Sequence, residues 1–202
     1  MGATSSASST STEDYERPAV GVYPARCIQV VELGTHMREW KGEPKEAKEI
    51  LIVWELSNEL MQDGRPFVVS WKGTNSLSDR ANLYKMLVSW RGQAFTEEQL
   101  ECFEMKNILD KQCMVNRVAV KTKKGKEFIT VSTVMPLPKG MNCAERVNEL
   151  VDFGIGDYLK PEYNKLYPWV QNIVKESIEV KSGALGALPE EHHSEPDDDI
   201  PF

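Results

Sequence analysis

SLSDRANLYKMLVSWRG, residues 76–92, is the stretch on which the fold turns, because its period differs from that of the chain on either side. Leu83, Met86, Leu87 and Trp90 recur at helical spacing, Ser78 stands where an N-cap is expected, and Gly92 stops the run. Upstream the pattern is that of strands. VGVYPARCIQVVEL (20–33) reads as a first strand, EILIVWEL (49–56) as a second, and PFVVSW (66–71) as a third after a turn at Asp63-Gly64. Residues 34–48, GTHMREWKGEPKEAK, read as a polar loop between the first two. Downstream, Thr96 and Gln99 form a capping box for a short second helix, with Phe95 and Leu100 at the positions of a hydrophobic staple. Two further strands, 113–121 and 127–135, flank the tight turn TKKGK. A segment of weaker pattern then leads to a helix begun by Pro168 and carrying Val170, Ile173, Val174 and Ile178.

Three strands, a helix and two strands is the order of an OB-fold, a partly open five-stranded Greek-key barrel. The fold class expected is therefore mainly β: a five-stranded OB-fold barrel with a helix between strands 3 and 4 and a C-terminal helical extension. Such barrels bind oligonucleotides on the face of strands 2 and 3 and in the loops joining strands 1–2 and 4–5. Both loops are basic here. The first holds Arg38, Trp40, Lys41, Lys45 and Lys48; the second is bounded by Lys121 and Lys126 and includes Lys123 and Lys124. A lysine-rich hairpin turn alone is ordinarily a solvated edge; two such loops at the two binding positions of one fold point to a polyanion.

Composition permits this. Of 31 acidic residues, six (Glu190, Glu191, Glu195, Asp197, Asp198 and Asp199) lie in residues 190–202, leaving 25 against 24 basic residues in the body. The net charge of −7 thus describes an acidic tail on a nearly neutral body, and residues 106–139 carry eight basic side chains against Asp110 and Glu127. No apolar run is long enough to span a membrane, and the first residues lack the pattern of a secretion signal. Gly2 with Ser6 fits a loose myristoylation pattern that carries little weight alone. Cys27, Cys102, Cys113 and Cys143 form no CxxC pair and read as buried reduced thiols of a cytoplasmic protein. His192-His193 in the tail make a poor metal site, and no nucleotide-binding, hydrolase or metalloprotease motif occurs, so no enzyme and no cofactor is expected. Residues 1–18 are expected as a disordered tail, 19–182 as the OB-fold domain with its extension, and 183–202 as a flexible acidic tail.

The stretch from Ser76 to Met141, with its SWRG helix end, its strand pair about a basic turn and its closing PLPKG, resembles the single-stranded DNA-binding proteins of bacteriophages, an OB-fold replication family. LYPWVQNIVKESIEV resembles that family's C-terminal helix. The closing Asp197-Asp198-Asp199-Ile200-Pro201-Phe202 resembles the acidic tip of bacterial single-stranded DNA-binding proteins, which docks on replication and repair enzymes. Leu109-Asp110-Lys111 departs from the family pattern, which leads one to expect glycine just before the fourth strand. The resemblance implies sequence-tolerant binding of single-stranded DNA in phage replication and recombination, within the host cytoplasm, with enzymes recruited through the tip. A strand-annealing or recombination-mediator protein and an OB-fold adaptor for other proteins are the alternatives.

The candidate DNA-binding set is Arg38, Trp40, Lys41, Trp71, Lys72, Arg117, Lys121, Lys123, Lys124, Lys126 and Phe128. Trp54, Trp71 and Trp90 sit among apolar neighbours, and at least two of them are expected in the core. Trp40, alone in a polar loop, is the side chain best suited to stack on a base.

Overall fold

The computed structural model describes residues 16–122, 125 and 127–186, and of Trp40 the backbone alone. Its frame is a six-stranded sheet: β1 (Gly21–Trp40), β2 (Glu43–Leu60), β3 (Pro66–Thr74), β4 (Gln112–Lys121), β5 (Glu127–Met135) and β6 (Val151–Phe153). The first five follow the order β3-β2-β1-β4-β5 with antiparallel neighbours. β1 is long enough to serve two partners on one edge. Residues 21–26 pair with β4, and where β4 ends, Gln29–Val31 pair in parallel with β6. Among the described residues no pairing joins β3 to β5, so the sheet is not closed into a barrel.

Both faces of the middle strands are buried, which is why residues 49–56 of β2 form a near-continuous apolar run rather than an alternation. On one face Ile50, Ile52, Trp54 and Leu56 pack with Ala25, Val30, Val115 and Val134 under the helix α1 (Asn82–Arg91), which contributes Leu83, Met86, Leu87 and Trp90. Trp54 lies 5.9 Å from the Trp90 ring, and the Trp90 indole N–H donates to the carbonyl of Gln112. On the other face Leu51 and Val53 join Ile28, Val31 and Leu33 beneath β6, Tyr158, Tyr163, Leu166 and the helix α3 (Pro168–Lys175). Each large apolar side chain so buried contributes about 1.5–3 kcal/mol of transfer free energy.

Carboxylates fasten this second layer. Glu55 accepts from the amides of Val147 and Asn148 and from the Asn148 side chain. Glu179, in the short helix α4 (Ile178–Lys181), accepts from the Thr35 amide at 2.8 Å and its hydroxyl at 2.7 Å. Gly34 makes the approach possible: its φ is 84°, and a Cβ there would stand 2.6 Å from the Ser177 Cβ.

Several expectations need correction. Residues 34–48 are not a loop; they are the distal arms of β1 and β2, turned by Lys41 and Gly42 at φ 55° and 86°. Their side chains are largely exposed, so no apolar alternation marks them as strand. α1 begins after Ala81, not at Ser78, and has no side-chain cap. Ile178 belongs to α4, because the Ser177 hydroxyl caps a new helix after α3 ends. β6, only three residues long, lies in the segment of weaker pattern, where no strand was expected. Cys27, Cys113 and Cys143 are buried and free, but Cys102 is exposed. The described chain already holds Glu16 to Pro18 in place: Pro18 is buried and its carbonyl accepts from Arg117. At the other end Leu185 still packs against the second core, beyond the boundary expected at 182. The capping box of Thr96 and Gln99 forms at α2 (Glu97–Glu101), and Gly92 ends α1 at φ 75°.

Candidate nucleic-acid interface

Where the exposed arms of β1 and β2 rise from the sheet, they and β3 enclose an open cleft of about 700 Å³. Arg38 enters it from β1, Lys45 and Lys48 from β2, and Trp71 and Lys72 from β3, with the amides of Asn75 and Asn82 at its border. Arg38 and Lys45 are cross-strand partners, which places two cations side by side on the arm.

Trp71 is half-buried against the first core, and its indole lies across Gly73. A Cβ on Gly73 would stand 2.2 Å from the Trp71 Cη2, so this glycine is the space in which the ring rests. A half-buried indole held on a strand, lining the same opening as Lys48 and Lys72, provides a flat apolar surface in a cleft that also carries cations.

Beneath the cations sits Glu49, only 2% exposed. Its Oε1 accepts from the Arg38 Nε, and the Lys72 ammonium lies 3.2 Å from Oε2. At that distance Lys72 is held by charge, with one N–H near enough to be shared with the carboxylate. Burial works to raise the Glu49 pKa, but the two cations outweigh it and hold the carboxyl below its usual 4.5. Arg38 and Lys72 remain about half exposed while held this way, at 48% and 41%.

The structure thus gathers Arg38, Trp71 and Lys72 of the candidate set, with Lys45 and Lys48 from the same arm. It places the others elsewhere. Lys41 is exposed at the tip of the arm, and beside it only the backbone of Trp40 is described. Lys121 and Phe128 lie exposed near the end of the β4–β5 hairpin, where Phe128 faces Val120 across the strands. Arg117 is 7% exposed, and its guanidinium donates to the carbonyls of Pro18 and Ala19. Its desolvation lowers its pKa, and it is not part of the cleft. Lys123, Lys124, Lys126, His192, His193 and the tip Asp197–Phe202 lie outside the described residues.

Two features escaped the sequence reading. Glu49 was legible only as the polar start of an apolar strand, although an acid directly following Lys48 and in phase with buried neighbours was the available signal. Trp169 is 47% exposed in the first turn of α3, in a groove of about 380 Å³ that it shares with Phe67, Val68 and Ile129 between β3 and β5. Its signal was its position outside the buried pair Val170 and Val174. Among the described residues no cluster of His, Cys, Asp and Glu could hold a metal, and no helix is long and apolar enough to cross a membrane. Compared with known proteins, the chain matches no family model, no curated protein and no solved structure.

Proposed function

We propose that this chain is a sequence-tolerant single-stranded DNA-binding protein of phage replication and recombination, built on an OB-type arrangement of its first five strands. The observation that carries the reading is the cleft at the base of the β1–β2 arm, where Arg38, Lys45, Lys48 and Lys72 outnumber Glu39 and Glu46 in a lining that includes the half-buried Trp71. Cations on a groove neutralise phosphates and release counterions, while an aromatic face stacks on any base. Neither term reads sequence. The sequence segment 197–202 supplies the second half of the reading: its carboxylates steer it to a basic partner surface, and Ile200 and Phe202 give replication or recombination enzymes apolar anchors.

Filter binding with labelled oligo(dT) and with duplex of the same length tests this. Single strands are expected to bind far more tightly. With about four phosphates neutralised at about −0.7 each, the slope of log K against log salt is expected near −3. Equal affinity for duplex and single strand at moderate salt overturns the reading.

A further inference from the structure

Glu49 presents a problem that the binding reading alone does not solve. A carboxylate that is 2% exposed sits under the two cations best placed to meet a phosphate, and its negative charge opposes the binding of any polyanion. A strand position of this burial ordinarily takes an apolar residue, and its neighbours Ile50, Leu51 and Ile52 are all apolar.

The contacts suggest what the acid does. Arg38 is gripped by its Nε, and among the described residues its two Nη groups have no acceptor. A guanidinium is planar and has five donors, so an acceptor on the Nε edge fixes the plane and leaves the Nη edge free for a second anion. Lys72 lies 3.2 Å from the other oxygen, which engages one N–H of its ammonium at most, so two donors can turn outward. Both side chains would otherwise lose rotamer freedom on binding, a cost that is met in advance when they are already held.

We propose, resting on the function just described, that Glu49 is the internal counter-ion of the cleft. It is a positioning residue that holds Arg38 and Lys72 ready for phosphate and cancels one of their two charges. The price is a smaller electrostatic attraction; the gain is a pair of ordered cations and a weaker dependence on salt. Burial makes the cancellation effective, because water screens an exposed acid such as Glu46 of the same cleft far more.

Glu49→Gln separates this from a purely structural role, since glutamine keeps an acceptor for the Arg38 Nε and removes only the charge. For oligo(dT) the slope of log K against log salt is expected to steepen by about 0.7, one further phosphate equivalent, with tighter binding at low salt. Lys72→Gln is the complementary variant, and its slope is expected to become shallower by about the same amount. The full-length protein and both variants are also run on immobilised heparin, where Glu49→Gln is expected to elute at higher salt and Lys72→Gln at lower salt than the parent. Heparin reads the charge of the cleft whether or not DNA is the natural ligand. If the parent fails to bind oligo(dT), the proposed function falls while heparin still judges Glu49. If Glu49→Gln leaves the heparin elution and any DNA slope unchanged, or weakens binding at every salt, Glu49 is not a counter-ion. Should Glu49→Gln fail to fold, an unaltered elution for Lys72→Gln overturns the proposal by itself.

Discussion

At single positions, the constraints that matter most are those of space and of backbone sign. Gly73 leaves room for the Trp71 indole, and an alanine there would meet the ring at 2.2 Å. The ring is the movable partner, so Gly73→Ala is expected to displace Trp71 and weaken oligo(dT) binding by about 1–3 kcal/mol, the worth of one stacking platform. Far-ultraviolet circular dichroism should be nearly unchanged; a variant that binds normally removes Trp71 from the interface. Asp110 has a φ of 61°, so the backbone adopts the left-handed form favoured by glycine, at the position where the resemblance led one to expect glycine. Its carboxylate pairs with Arg26 at 3.1 Å and its amide donates to the Cys27 carbonyl. Asp110→Ala keeps the strain and loses the ion pair, so it is expected to destabilise the fold by about 1–2 kcal/mol in urea unfolding. Asp110→Gly relieves the strain and should cost less. An alanine variant as stable as the glycine one would show that the left-handed turn is not retained in solution.

Elements here are joined through a few tight contacts, and the closest is that of β1 with α4. Gly34→Ala would drive a Cβ to 2.6 Å from Ser177 and 2.9 Å from the Glu179 carboxylate, at a φ that alanine resists. The expected result is release of residues 177–186 from β1, read as faster amide exchange at Thr35 and Val180. Glu179 adds a dependence on pH. Burial works to raise its pKa, but the hydrogen bonds from Thr35 outweigh it and hold the carboxyl below its ordinary 4.5. A carboxyl depressed in the fold stabilises above its unfolded value, and this is lost as pH falls through the folded one. Thermal stability is therefore expected to drop below about pH 4.5. Glu179→Gln should be less stable at pH 7 and vary less with pH across that range; an unchanged acid profile would mean that Thr35 does not hold the charged form. These contacts also mark how far sequence reaches. β4 was legible because its residues alternate, with Cys113, Val115 and Arg117 turned inward, and β5 as a run of β-branched and apolar residues across a tight turn from it. The β1–β2 arms were not, because a strand solvated on both faces shows no period. β6 is defined by its partner, Gln29–Val31 of β1, and three residues hold no pattern of their own. In the cleft, Arg38, Trp71 and Lys72 were legible as residue types in the right elements, whereas the pairing of Glu49 with two of them is a fact of register between strands.

Across the whole molecule, charge is divided unevenly, and this division governs the last prediction. The body is nearly neutral, its cleft is basic, and six carboxylates lie between residues 190 and 202 on the same chain. A tethered anion acts on a basic cleft at an effective concentration of about millimolar for a short flexible linker. On the proposed function it is expected to compete with DNA, most strongly where salt is low and the Debye length is long. Deleting residues 190–202 is expected to leave oligo(dT) affinity unchanged at moderate salt and raise it at low salt. The same deletion should abolish capture of the purified replication or recombination enzyme that recognises the tip. Phe202→Ala separates the two effects, since it keeps every carboxylate: partner capture should be lost while DNA affinity stays that of the parent. Charge brings the segment to either surface, but an apolar anchor distinguishes an enzyme's pocket from a cleft lined by lysines. A deletion that weakens DNA binding and leaves partner capture intact would reverse the roles assigned here to the body and its acidic segment.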